Sequence, residues 1–117
     1  MKIYHNPRCS KSRQVLSLVK GKTSNFKIIE YIKQPLTFKE IQNLLKKLNM
    51  NPIEIIRKNE KIWKDNYQNK TMNNNDLINA MKNYPKLIER PIVEGKKKAV
   101  IGRPPENILS LFDQEGI

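Results

Sequence analysis

The fold of this chain is decided by nine residues near its N-terminus, which read His5-Asn6-Pro7-Arg8-Cys9-Ser10-Lys11-Ser12-Arg13. They hold the only cysteine and the only histidine among 117 residues. Upstream, residues 1–4 form a short, half-apolar run typical of a strand. Downstream, apolar residues recur at helical spacing from Val15 to Val19. Pro7 and the serine hydroxyls favour a turn and a helix start. The pattern therefore predicts a strand, a turn and a helix that begins beside Cys9.

A cysteine at a helix start has a chemical meaning. The first backbone N–H groups of a helix have no internal partner, so they stabilise a thiolate and can also bind an anion. Lys11 and Arg13 add positive charge, and the Ser12 hydroxyl is expected to donate a hydrogen bond to the sulfur. The sequence therefore predicts that Cys9 has a lowered pKa and attacks an anionic substrate.

Two other interpretations of Cys9 fit its neighbours less well. A lone cysteine is often an inert core residue, but the polar and cationic neighbours of Cys9 argue against an apolar pocket. A zinc site needs three or four protein ligands, whereas His5 and Cys9 provide only two. We therefore expect no metal.

Length and composition predict a single domain spanning residues 1–117, with a hydrophobic content of 38% that is low for a globular protein but too high for a disordered one. One cysteine excludes an internal disulfide. Residues 1–5 lack the apolar core of a signal peptide, and no run reaches membrane-spanning length. We therefore expect a cytoplasmic monomer with no membrane partner.

The formal net charge of +12 raises the possibility of nucleic-acid binding. The lysines are scattered, however, and only Lys96-Lys97-Lys98 forms a run. We therefore expect no specific nucleic-acid partner, although the positive field should attract small anions.

The rest of the chain gives further elements in order. Residues 26–32 are aromatic and β-branched, which predicts a second strand. Thr37 and Glu40 form a capping box at the start of a helix. Residues 63–75 are polar and rich in asparagine, which predicts an irregular surface segment up to a helix over residues 74–84.

The C-terminal third predicts a hairpin and a helix. Residues 91–101 have two apolar runs around Glu94-Gly95, which is typical of a β-hairpin. The prolines that follow Gly102 then open a last helix, which is expected to bury Ile108, Leu109, Leu111 and Phe112.

This order of elements predicts an α/β protein (α+β by some schemes) with a thioredoxin-like fold. We expect a mixed four-stranded sheet flanked by helices, with an inserted helical segment. Pro91 precedes the third strand, where this fold usually places a cis proline that faces the thiol.

Four spaced motifs then indicate a family. They are Tyr4-His5-Asn6-Pro7-x-Cys9-x-x-Ser12-Arg13, Arg57-Lys58-Asn59, Leu87-Ile88-x-Arg90-Pro91-Ile92-Val93 and Gly102-Arg103-Pro104. With these motifs the chain resembles, over nearly its whole length, the glutaredoxin-dependent arsenate reductases of the ArsC type. It stops soon after the last helix, so it resembles a shorter subgroup of that family.

The resemblance implies a reaction and its residues. Cys9 would attack arsenate to form a thiol–arsenate adduct. Glutathione, as co-substrate, would convert this adduct to a mixed disulfide with Cys9, which glutaredoxin would then resolve. No cofactor would be bound. Arg57, Arg90 and Arg103 would form an oxyanion clamp. His5 would help to lower the thiol pKa, with Ser12, Arg13 and Pro91 as supporting residues.

Two alternatives remain open. The spacing Cys9-x-x-Ser12 also occurs in thiol transferases of the monothiol-glutaredoxin type. A regulator of the Spx type, which binds RNA polymerase, shares the fold and the Arg-Pro element, although Ser12 removes the usual second cysteine. The phosphatase-like arsenate reductases are excluded, because their loop needs an arginine where this chain has Val15.

Overall fold

The computed structural model describes residues 1–116, in which four short strands form one sheet. These are β1 (Lys2–Tyr4), β2 (Lys27–Ile29), β3 (Ile92–Glu94) and β4 (Ala99–Ile101). Their order across the sheet is β2-β1-β3-β4. Strand β1 runs parallel to β2 and antiparallel to β3, and β3 runs antiparallel to β4. The predicted mixed four-stranded sheet is therefore confirmed.

Five α-helices accompany the sheet in the described residues. They are α1 (Ser10–Lys22), α2 (Phe38–Leu48), α3 (Lys61–Asn66), α4 (Asn74–Asn83) and α5 (Leu109–Glu115). Short 3-10 helices cover Pro52–Ile55, Pro85–Leu87 and Pro105–Ile108.

The chain divides into two compact units. One unit comprises Met1–Gln34 and the segment from Arg90 onward; it contains the sheet, α1 and α5, and we call it the sheet unit. The other comprises Pro35–Glu89 with α2, α3 and α4, and we call it the helical unit. The helical unit is the inserted helical segment that the sequence predicts within a thioredoxin-like fold.

The core of the sheet unit combines apolar residues from β1, α1, β3 and the C-terminal helices. Its buried members are Ile3, Val15, Val19, Val93, Ile108, Leu111 and Phe112. Burying a side chain of this size stabilises a fold by roughly 1.5–3 kcal/mol. This core holds the two ends of the β1–α1 connection in place, and that connection carries Cys9.

The helical unit begins at the predicted capping box. Glu40 N–H donates to Thr37 Oγ1 at 3.1 Å, and Thr37 N–H donates to Glu40 Oε1 at 3.0 Å. Helix α2 ends at Asn49, which adopts the left-handed conformation with φ at 56°. Asparagine tolerates this conformation better than most residues, so it stops the helix at little cost.

Strand β2 is shorter than the sequence predicts. Its last ladder bond runs from His5 N–H to Ile29 O at 2.9 Å. The chain then turns, because Glu30 O accepts hydrogen bonds from the N–H groups of both Lys33 and Gln34. Tyr31 is buried in this turn, so its apolar character marks burial and not a longer strand.

The segment predicted as irregular contains a helix, so that prediction is wrong in its first part. Helix α3 places Trp63 in a buried position, with its ring centroid 5.8 Å from that of Tyr67. Lys61 and Asp65 form an ion pair across one turn at 2.6 Å. The burial of Trp63 thus stabilises helix α3, and the polar residues around Trp63 explain why the sequence pattern did not predict a helix here.

The last helix starts as a 3-10 turn and buries fewer residues than predicted. Ile108, Leu111 and Phe112 are buried as expected, whereas Leu109 is 45% exposed. The buried residues lie at positions 108, 111 and 112, which share one face of a helix, and Leu109 lies about 100° from Ile108 around the axis, outside that face.

Candidate active site

Cys9 lies at the junction between β1 and α1. Its backbone is extended, with φ at −95° and ψ at 120°, and its carbonyl accepts a hydrogen bond from Arg13 N–H at 3.0 Å. Cys9 N–H donates to Asn6 O at 3.0 Å, which closes the turn that contains Pro7. Cys9 is therefore the N-cap residue of α1, and its thiol is half-buried.

A buried network joins the residues that follow β1 to the first turn of α1. His5 Nδ1 and Ser12 Oγ lie 2.7 Å apart, and Asn6 N–H donates to the same oxygen at 3.0 Å. Both His5 and Ser12 are buried. The sequence predicts a bond from the Ser12 hydroxyl to the Cys9 sulfur, and the structure places the hydroxyl elsewhere. Buried polar groups need partners, and this hydroxyl serves two of them.

Two arginines reach the thiol from the β3–β4 hairpin. Arg90 precedes β3 and Arg103 follows β4, and an antiparallel hairpin brings these two positions to the same end. Arg103 Nη2 lies 3.4 Å from Cys9 Sγ, and Arg103 Nε donates to Arg90 O at 2.6 Å. The Arg90 side chain is close enough to the sulfur to lower the pKa of the Cys9 thiol. The structure thus brings together Cys9, Arg90 and Arg103.

Pro91 and Gly102 connect the two arginine segments. The Arg90–Pro91 peptide is cis, as is Arg103–Pro104. Gly102 N–H donates to Pro91 O at 2.9 Å. A Cβ atom on Gly102 would lie 2.6 Å from Val15 Cγ2 and 3.2 Å from Pro91 Cγ, so only glycine fits. This role of Gly102 was not predicted from the sequence, although its place beside Arg103 in the fourth motif was an available signal.

The pKa of the Cys9 thiol results from opposing effects. Burial raises the pKa, but several interactions with the thiolate outweigh it: the Ser12 backbone N–H, the Arg90 side chain, the Lys11 backbone N–H and the charge of Arg90. The two backbone groups act at the helix start without reaching the geometry of a capping hydrogen bond. The net effect lowers the pKa below its ordinary value, which favours the nucleophilic thiolate.

His5, which is predicted to help lower the thiol pKa, is itself a buried titratable group. Burial lowers the pKa of His5; Glu30 opposes this effect, and Arg13 and Lys20 add to it. A histidine with a lowered pKa is neutral at pH 7, so it brings no positive charge to the thiol. Neutral His5 retains its contact with the Ser12 hydroxyl at the start of α1.

Arg13 supports the turn that precedes the cysteine. Its Nη1 atom donates to Pro7 O at 2.9 Å, which links the second turn of α1 back to the loop. Arg13 thus fixes the backbone on the N-terminal side of Cys9.

Arg57 belongs to the helical unit, and its guanidinium is paired with carboxylates of that unit. Arg57 Nη1 lies 2.7 Å from Glu89 Oε1, and Nε lies 3.5 Å from Glu60 Oε1. The backbone reinforces the first pair, because Arg57 N–H donates to Leu87 O and Glu89 N–H donates to Ile55 O. The charge of Arg57 is therefore already compensated within its own unit.

The described residues were compared with what a metal site and a membrane-spanning helix require. Within residues 1–116, no group of three or more His, Cys, Asp or Glu side chains is arranged to hold a metal ion. Helices of that same part of the chain are too short or too polar to cross a membrane.

Comparison with known proteins agrees with the motifs. A model of the ArsC family matches residues 4–111. The chain is 43% identical over 113 residues to the protein YfgD of Escherichia coli, with 95% of each chain covered. It is 38% identical over 112 residues to a protein of Haemophilus influenzae named arsenate reductase, covering 94% of this chain and 97% of the other.

A solved structure shares the fold. The arsenate reductase of Vibrio cholerae superposes with a TM-score of 0.88 at 37% identity, over 94% of this chain and 97% of that one. The matched region spans the four motifs and both units. The chain therefore belongs to the ArsC family.

Proposed function

We propose that this protein reduces arsenate to arsenite, with Cys9 as the nucleophile and two external thiols as reductants. The observation that carries the proposal is the half-buried Cys9 thiol with a lowered pKa and two guanidinium groups beside it. Guanidinium groups bind tetrahedral oxyanions, and a thiolate attacks an electrophilic centre held next to it. Relatives named arsenate reductase support this choice of oxyanion.

The proposed reaction begins with the thiolate of Cys9. Its sulfur attacks arsenic(V), and one arsenate oxygen leaves as water after protonation, which forms a sulfur–arsenic bond. Arg90 and Arg103 would stabilise the negative charge on the remaining oxygens, because preorganised cations cost no reorganisation during the step.

Two thiols complete the proposed cycle. The thiolate of glutathione attacks the Cys9 sulfur, and the electron pair of the sulfur–arsenic bond passes to arsenic, which leaves as arsenite. The resulting mixed disulfide between Cys9 and glutathione is then attacked by a thiol of glutaredoxin, which releases the Cys9 thiolate. Both reductants must be external, since Cys9 is the only cysteine of the chain.

The roles of the other predicted residues belong to the same proposal. The family resemblance implies that Arg57 would also bind the oxyanion, and we propose that role for it. Its guanidinium is already paired with Glu89 and Glu60, so its contribution should be smaller than that of Arg90 or Arg103. Ser12 and Arg13 hold the turn around Cys9, as their hydrogen bonds indicate.

The experiment that tests the proposal is arsenate reduction by the purified protein with glutathione, glutaredoxin and an NADPH-recycling system. Wild type should oxidise NADPH in an arsenate-dependent manner, and Cys9→Ser should not. Arg90→Ala, Arg103→Ala and Arg57→Ala should each reduce turnover. Absence of arsenate-dependent turnover in the wild type would refute the proposal.

The same reagents distinguish arsenate reduction from the activity of a thiol transferase of the monothiol-glutaredoxin type. A thiol transferase would reduce a small disulfide substrate with glutathione in the absence of arsenate. Activity of that kind, without arsenate reduction, would replace the proposed function. A protein with neither activity would direct attention to the regulator of the Spx type, for which binding to RNA polymerase is the measurement.

A further inference from the structure

Asn107 lies on the 3-10 turn that follows the Gly102-Arg103-Pro104 segment, and its side chain turns back toward that segment. Its Nδ2 group donates to Arg103 O at 3.1 Å and to Ile101 O at 3.4 Å. Its backbone N–H donates to Pro104 O at 3.1 Å. One exposed residue thus binds three carbonyl groups of the segment that carries Arg103.

This segment is tied down on its other side as well. Gly102 N–H donates to Pro91 O, and the space around the Gly102 α-carbon is closed by Val15 and Pro91. Arg103 Nε donates to Arg90 O at 2.6 Å. The bonds from Asn107 therefore complete a set of contacts that fixes the backbone from which the Arg103 side chain extends.

We propose that Asn107 is a positioning residue, whose side-chain amide holds the Gly102–Arg103 backbone so that the Arg103 guanidinium stays against Cys9 Sγ. The assignment deepens the proposed function, on which its kinetic consequence rests. Asn107 lies outside the four motifs of the family and carries no sequence signal of its own.

The chemistry of the side chain fits this role. A carboxamide NH₂ has two donors, and the two carbonyls of residues 101 and 103 use both. Alanine has no donor, and a carboxylate has the same shape but only accepts. Holding the Arg103 guanidinium in place costs side-chain entropy. Because the backbone of Arg103 is already ordered, no additional backbone entropy is lost. Small displacements of catalytic groups have large effects on rate.

The first test measures the thiol and needs no arsenate. The rate of Cys9 alkylation is followed against pH in wild type, Asn107→Ala and Asn107→Asp. We expect both variants to titrate at a higher pH than wild type, because Arg103 is held less firmly near the thiolate. An effect that is common to both variants comes from the lost donors, since only Asn107→Asp adds a charge.

Ser110→Ala is the matched control. The Ser110 hydroxyl donates to Asn107 O at 3.1 Å, so this variant removes a hydrogen bond from the same turn without touching the Arg103 segment. It should alkylate like wild type. An equal shift in Ser110→Ala would indicate general loosening of the turn and would overturn the assignment.

The second test measures turnover. In Asn107→Ala we expect kcat/KM for arsenate to fall by about three- to tenfold, in line with the loss of one positioning interaction. In an Arg103→Ala background the same substitution should have no further effect. A full effect in that background, or wild-type titration and kinetics in both Asn107 variants, would overturn the assignment.

These outcomes separate the inference from the proposed function. A wild type that fails to reduce arsenate refutes the proposed function, whereas the alkylation profiles still decide whether Asn107 acts on the thiol through Arg103. Asn107 is exposed and Asn107→Asp preserves its shape, so thermal unfolding should show that the variants remain folded.

Discussion

Arg103 Nη2 donates a hydrogen bond to Cys9 Sγ across 3.4 Å, although 94 positions separate the two residues in the chain. The contact forms because β1 and β3 are neighbours in the sheet and the β3–β4 hairpin ends beside the start of α1. A permanently charged group is therefore placed against the one thiol of the protein.

Replacement of Arg103 by alanine should raise the pKa of Cys9, because the Nη2–Sγ contact of 3.4 Å, a hydrogen bond from a cation to the thiolate, is lost. At neutral pH the thiol should then react more slowly with iodoacetamide, and kcat/KM for arsenate should fall by roughly tenfold or more. The pH dependence of alkylation measures the first effect. Arg8→Ala is the control, since the exposed Arg8 side chain makes no hydrogen bond within residues 1–116; equal shifts in both variants would contradict a specific role for Arg103.

Replacement of Ser12 by alanine should destabilise the protein. His5 Nδ1 and Asn6 N–H would both lose a partner in a buried environment, at a cost of about 1–3 kcal/mol. Urea unfolding measures the change. Ser17→Ala, at an exposed position of the same helix, should leave the free energy of unfolding nearly unchanged. A Ser12 variant as stable as wild type would show that water replaces the hydroxyl at no cost.

Stability should depend on pH through His5, the only histidine of the chain. Burial lowers the pKa of His5 in the folded state, so below the ordinary value of ~6.5 the unfolded chain binds more protons than the folded protein. The stability from neutral His5 is therefore fully present above that value and is lost as the pH falls toward the lowered pKa. His5→Asn should show a smaller loss of unfolding free energy between neutral and mildly acidic pH; parallel curves would contradict this account.

Replacement of Gly102 by alanine should destabilise the protein and impair the site together. The new Cβ atom would collide with Val15 and Pro91, and overpacking of this kind costs about 1–3 kcal/mol. Gly21→Ala is the matched control, because nothing lies within 4 Å of its added Cβ and alanine favours a helix by about 0.5–1 kcal/mol. Chemical unfolding of both variants should therefore show opposite signs, and two changes of the same sign would refute the steric explanation.

Much of the local structure follows from short-range chemistry and was predictable. Thr37 and Glu40 specify the start of α2 through a capping box, and their two hydrogen bonds form as expected. The apolar runs around Glu94-Gly95 specify the β-hairpin. The segment from Lys61 to Asn66 was not predictable, because its helix depends on the burial of Trp63 and polar composition gives no sign of that burial.

In the candidate site, too, some features follow from local sequence and others depend on tertiary structure. The sequence by itself determined that Cys9 starts a helix, since neighbouring residues alone define the turn, and its motifs identified the family. Only the tertiary structure decided the partners of these side chains: it directs the Ser12 hydroxyl to His5, Arg103 to Cys9 and Arg57 to Glu89. The physical reason is that a helix start depends on contacts within a few residues. The partner of a long, charged side chain depends on sheet order and burial, which no local pattern encodes.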